Sequence, residues 1–105
     1  MTQPATRRVV LEPRAQAEVR QAFKFYQRRQ PGLGHQFRDR VRETTRLIGE
    51  HPDAFPEVVP GVRWVLTKQF PYKVYFLPEF DPIPVIAILH AASHPDAWSG
   101  QVSDE

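Results

Sequence analysis

Gln30-Pro31-Gly32-Leu33-Gly34 puts one proline and two glycines into five residues, between two stretches that repeat apolar side chains every three or four positions. Proline lacks the amide a helix interior needs and glycine readily leaves helical geometry, so this stretch ends one helix and opens another. Upstream, Ala15, Val19, Ala22, Phe23 and Tyr26 form one apolar face, and Pro13 suits a first turn, where its missing N–H would have no partner. Downstream, Leu33, Phe37, Val41, Thr44 and Ile48 repeat the spacing until Gly49 and Pro52 close the second helix. So short a connection predicts an antiparallel helical hairpin.

Outside the hairpin the pattern changes. Arg7–Leu11 is a β-branched run that reads as a first strand. After a loop holding Pro52, Pro56 and Pro60-Gly61, Val62, Trp64 and Leu66 alternate with Arg63, Val65 and Thr67, the period of a half-buried strand. Phe70-Pro71 is a turn, Tyr72–Leu77 a further strand, and Ile83–Leu89 the last. The last two strands are apolar on both faces, so each face needs cover. The expected fold is α+β, in the order β-α-α-β-β-β, with the helical hairpin packed on a small antiparallel sheet. Residues 1–98 are expected to form one domain, and 99–105, small and polar, a flexible tail.

The 105 residues suit a single core, and the absence of cysteine excludes disulfides and thiolate metal sites. The N-terminus has no apolar signal segment and no apolar run approaches membrane-spanning length, so a cytoplasmic location is expected. Charge is unevenly spread. Residues 1–77 hold all 14 Lys and Arg against seven acids, a net +7, while 78–105 hold five acids and no Lys or Arg, a net −5. Each helix carries a basic row at four-residue spacing, Arg20, Lys24 and Arg28 on the first and Arg38, Arg42 and Arg46 on the second. A basic body predicts an anionic partner, and an acidic C-terminal part argues against that partner being nucleic acid.

Few residues suggest chemistry. "PGLG" lacks the Lys-Ser/Thr of a phosphate-binding loop. His90 and His94 are joined by no carboxylate cluster, so no metal and no cofactor are expected. Metal-free RNA cleavage needs a base, an acid and cations for developing phosphate charge, and Arg63, Lys73, Tyr75, His90 and His94 could supply them from neighbouring strands. Each has a simpler reading: solvated strand faces for Arg63 and Lys73, a cross-strand aromatic for Tyr75, and a capped strand end for His90.

Taken together, "LEPRAQAEVRQAFKFYQRRQPGLGHQF" (11–37), "HPDAFPEV" (51–58), "VRWVLTKQFPYKVYF" (62–76) and "IAILHAASHPDAW" (86–98) resemble the RelE/ParE superfamily of bacterial type II toxins, over about residues 8–98. The resemblance implies a helical hairpin against a small antiparallel sheet, and an antitoxin whose flexible segment wraps the toxin. RelE-like members cut mRNA in the ribosome, whereas the characterised ParE-like members poison DNA gyrase. Similar toxins often carry two arginines after Leu-His; here Leu89-His90 leads to Ala92-Ser93-His94 before Pro95-Asp96, and Trp98 stands near where a nuclease often has a tyrosine. Loss of the cations favours the ParE-like branch. The expectation is a ParE-like inhibitor of DNA gyrase, leaning to no enzymatic activity, neutralised by a cognate acidic antitoxin that docks an amphipathic segment beside the hairpin near Arg20, Lys24 and Arg28. The alternatives are a RelE-like ribosome-dependent mRNA endonuclease using Arg63, His90 and His94, and a non-toxic antitoxin-binding scaffold.

Overall fold

A computed structural model describes residues 6–100. The chain forms β1 (Val9–Leu11), α1 (Pro13–Arg29), α2 (Leu33–Glu50), β2 (Glu57–Val59), β3 (Val62–Leu66), β4 (Tyr72–Phe76) and β5 (Ile83–His90), followed by a 3-10 turn at Ala97–Ser99. The α+β class and the hairpin followed by a meander are as the periodicity predicts. Among the described residues no helix is long and apolar enough to cross a membrane.

The hairpin turn is locally built. Pro13 starts α1, and Gly32 enters α2 at φ +93°, a conformation that glycine adopts without steric cost. The Gln27 side-chain oxygen accepts from the amides of Gly32, at 3.1 Å, and Gly34, at 3.0 Å, so α1 itself holds the start of α2. A Cβ on Gly34 would lie 2.6 Å from the Phe23 carbonyl oxygen, which is why the helices can approach so closely there.

The sheet differs from expectation in two ways. Its order is β1-β5-β4-β3-β2, and β1 runs parallel to β5, with Val9 opposite Ile83 and Leu11 opposite Val85, so the sheet is mixed rather than antiparallel. Two helices separate β1 from the meander, which lets it return beside the outermost long strand in the parallel sense. The second difference is β2, formed inside the proline-rich loop where Val59 pairs with Val62 around Gly61. Three exposed residues between Pro56 and Pro60 show no period, so nothing in their pattern marks a strand.

The core fills the space between hairpin and sheet. Phe37, Ile48, Val74, Phe76, Ile83, Val85 and Ile88 are fully buried there with Ala15, Val19, Ala22 and Val41. Phe70, read as a turn residue, is buried as well: Thr67 Oγ1 donates to its carbonyl at 2.5 Å, and its ring meets Tyr26 at 4.8 Å and Phe37 at 5.4 Å. The opposite sheet face carries a smaller cluster of Val62, Tyr75 and Ala87 with Trp64, Leu77, Leu89 and Trp98. Leu66 leaves the alternation and is exposed, because the chain turns after it and Thr67 points inward instead. Trp64 and Tyr72 are partly exposed. Of the expected tail, Ser99 belongs to the 3-10 turn and donates to Asp96, while residues 101–105 lie outside the described residues.

Candidate functional site

Strand β5 is eight residues long but β1 covers only Ile83–Val85 on one side. Beyond them that edge has no strand neighbour among the described residues, and α1 runs alongside it. The result is a groove of about 320 Å³ lined by Glu18, Gln21, Ala22 and Phe25 of α1 and by Tyr72, Ile88, Leu89 and His90 of the sheet. The exposed edge is not left unsatisfied. Glu18 Oε1 accepts from the Ile88 amide at 2.9 Å, taking the place of a strand carbonyl.

Phe25 is a large apolar residue left 46% exposed, and the Arg29 guanidinium sits 5.2 Å from its ring centroid. At 3.6 residues per turn, Arg29 lies about 40° and Arg28 about 60° around the helix from Phe25, against about 100° for Lys24 and about 140° for Arg20. Arg20, Lys24 and Arg28 are all exposed and form no ion pair among the described residues. None of the three lines the groove, and Arg28 lies nearest to Phe25 around the helix. Phe25, which lines the groove, and Arg29, which sits over its ring, are passed over by a four-residue spacing rule, although the adjacent Arg-Arg and the aromatic at position 25 were visible in the sequence.

The five residues considered for RNA cleavage are not brought together. Arg63 pairs with Phe76 across β3–β4, and its Nη1 donates to the carbonyls of Phe55 at 2.5 Å and Asp53 at 3.4 Å. His90 is opposite Tyr72, four residues away along β4 and on the far strand. That separates them by roughly 13 Å along the strand and two strand spacings of about 4.8 Å across it. Lys73 and Tyr75 project from the other sheet face, Lys73 4.9 Å from the Trp64 ring centroid and Tyr75 stacked on Trp98 at 6.0 Å.

The histidines are engaged with their own turns. His90 Nδ1 accepts from the Ala92 amide at 3.0 Å, and His94 Nδ1 from the Asp96 amide at 3.1 Å. A ring nitrogen that accepts carries no hydrogen, so in these bonds the ring hydrogen lies on Nε2. Burial, then the neighbouring Tyr26 charge and hydroxyl, push the Tyr72 pKa up to about 12. Burial raises Tyr75 as well. Among the described residues no three of His, Asp and Glu stand close enough to hold a metal ion.

A second arrangement lies at the N-terminal end of α1. Arg14 Nε donates to Glu18 Oε2 at 3.1 Å, Nη1 to the Trp98 carbonyl at 3.0 Å, and Nη2 to the Ala97 carbonyl. The 3-10 turn is thereby tied over the outer face of the sheet, where Trp98 covers Tyr75. The sequence placed Trp98 near a nuclease tyrosine; the structure gives it a packing role, with its indole N–H buried and unpartnered among the described residues.

No curated protein matches the chain. Among solved structures, a chain of the chromosomal ParDE TA system from P. aeruginosa shares the fold with a TM-score of 0.71 over 81% of this chain and 96% of that one. The two are 17% identical, so this likeness speaks for the fold alone. The family described as "ParE toxin of type II toxin-antitoxin system, parDE" matches residues 9–95, from β1 to just past the last strand. The chain belongs to the ParE toxin family of type II toxin–antitoxin systems.

Proposed function

We propose that a cognate acidic antitoxin silences this toxin by laying an amphipathic segment in the α1–β5 groove, and that the freed toxin inhibits DNA gyrase without catalysing a reaction. The groove supports the first part. Phe25, Tyr72, Ile88 and Leu89 offer an apolar wall, and Arg29 over the Phe25 ring, with Arg28 next to it, adds positive charge beside that wall, the combination that an acidic amphipathic segment complements. Arg20 and Lys24 face away from this wall and act at longer range.

The observation that carries the second part is the position of Arg63. Transition-state charge on a phosphate needs a cation within hydrogen-bond reach of the same atoms as the base. Arg63 is spent on loop carbonyls at the opposite end of the sheet from His90. A gyrase inhibitor needs no such constellation.

Inducible expression tests the reading, followed by gyrase supercoiling assays on purified toxin and transcript mapping in the same cells. Growth arrest with lost supercoiling and intact transcripts is the expected result. Cleaved transcripts would put a ribosome-dependent endonuclease in its place, and the absence of any arrest an antitoxin-binding scaffold.

A further inference from the structure

Glu18 and Arg14 are one helical turn apart on α1 and share an ion pair, yet they look into different places. Glu18 lines the groove and holds the Ile88 amide on the open edge of β5. Arg14 lines a separate cleft with Glu12, Ile86, Trp98 and Ser99, and holds the carbonyls of Ala97 and Trp98. The two carboxylate oxygens are divided between them, one to each side. Both arginine edges are engaged at once, so the guanidinium orientation that suits Glu18 is also the one that ties down the turn.

We infer that Glu18 and Arg14 form a relay between the groove and the C-terminal turn, so that whatever displaces Glu18 from the Ile88 amide also releases Trp98 from the outer face of the sheet. The physical reasons lie in the contacts themselves. An extended segment that offers its own carbonyl to the Ile88 amide replaces the Glu18 carboxylate, and an acidic segment repels it. Arg14 then loses the charge that orients it, and an incoming acid competes with the two carbonyls for its donors. The turn is a short 3-10 element with one indole as its apolar anchor, and that indole's N–H has no partner among the described residues, so little else resists its departure. By linkage, a target that grips the outer face around Trp98 disfavours groove occupancy to the same degree. This regulatory meaning rests on the groove being the antitoxin's seat; the relay itself does not.

The relay is testable in the free chain carrying Trp64→Phe, which leaves Trp98 as the sole tryptophan. Two readouts are followed, acrylamide quenching of Trp98 and hydrogen exchange of the Ile88 amide. Arg14→Gln acts directly on the turn, and the relay requires that it also speed Ile88 exchange several-fold. Glu18→Ala acts directly on Ile88, with about a tenfold rise from one lost hydrogen bond, and must also raise Trp98 quenching. On each readout the double variant should not exceed the larger single effect, because both remove one path. Each readout responding only to its nearer substitution would overturn the relay. Should Glu18→Ala fail to fold, Glu18→Gln keeps an oxygen for the Ile88 amide and removes the charge facing Arg14. It must raise quenching, with Ile88 exchange rising no further than in Arg14→Gln, and unchanged quenching counts against the relay. No partner enters the experiment, so its failure leaves the antitoxin reading standing. Antitoxin binding that leaves groove amides unprotected would instead sink that reading and spare the relay.

Discussion

His90 meets Tyr72 edge-on across the β4–β5 ladder, ring centroids 5.4 Å apart at 79°, with its Nδ1 already engaged by the Ala92 amide. The pair closes one end of the groove and leaves His90 only its Nε2 side for solvent or a partner. The double variant His90→Gln, His94→Gln should therefore keep most of its growth inhibition, and ribosome profiles of either form should show no induced A-site cuts. Transcript cleavage by the parent that vanishes in the double variant would restore the histidines as catalytic groups.

Charge reversal should sort the arginines by their angle around α1. Arg28→Glu with Arg29→Glu should slow antitoxin association and flatten its salt dependence, whereas Arg20→Glu alone should change either only slightly. Stopped-flow binding at two salt concentrations distinguishes them. Equal effects from Arg20 and from the Arg28–Arg29 pair would place the antitoxin elsewhere on the helix.

Phe37 is fully buried and touches Tyr26, Phe70 and Tyr72, so Phe37→Ala should cost about 3–5 kcal/mol in a urea melt. Against a total stability of about 5–15 kcal/mol, the variant is expected to need antitoxin to fold. Gly34→Ala should cost about 1–3 kcal/mol by forcing the hairpin apart at Phe23, since the atom in the way is backbone.

Alkaline stability should fall with a definite sign. Tyr72 keeps its proton in the folded chain to about pH 12, while the unfolded residue loses it near the ordinary tyrosine value of 10.0. The folded state therefore holds more protons through that window, and stability is full below it and lost as pH rises across it. Urea midpoints measured at steps across the window should fall less steeply in Tyr72→Phe than in the parent. Identical slopes would show that Tyr72 is more hydrated than its packing indicates.

What the sequence revealed followed distance along the chain. The hairpin was legible because a helix writes its buried face every three or four residues, and Phe37, Val41 and Ile48 keep that interval. The meander was legible for the same reason at a period of two. The parallel placement of β1 was not, since three residues carry no mark of which strand they join. Nor was the groove. Glu18 and Ile88 are 70 positions apart, and a carboxylate that caps a strand edge looks in sequence like any exposed helical acid. Arg20, Lys24 and Arg28 looked like one stripe because four-residue spacing nearly matches the helical repeat; the shortfall turns the row away from the groove as it runs back toward the N-terminus.

The pairing of β1 with β5 carries a consequence for biosynthesis. Val9–Leu11 can find their partners only after Ile83–Val85 have been made, and the groove needs Ile88–His90 as well. A chain still growing on the ribosome thus exposes the apolar face of its helical hairpin without the strands that complete the sheet. Arrest of translation within the β4–β5 loop should leave α1 and α2 helical and the groove unmade, which protease sensitivity of stalled chains would reveal. The groove and the completed sheet then form in the same late step.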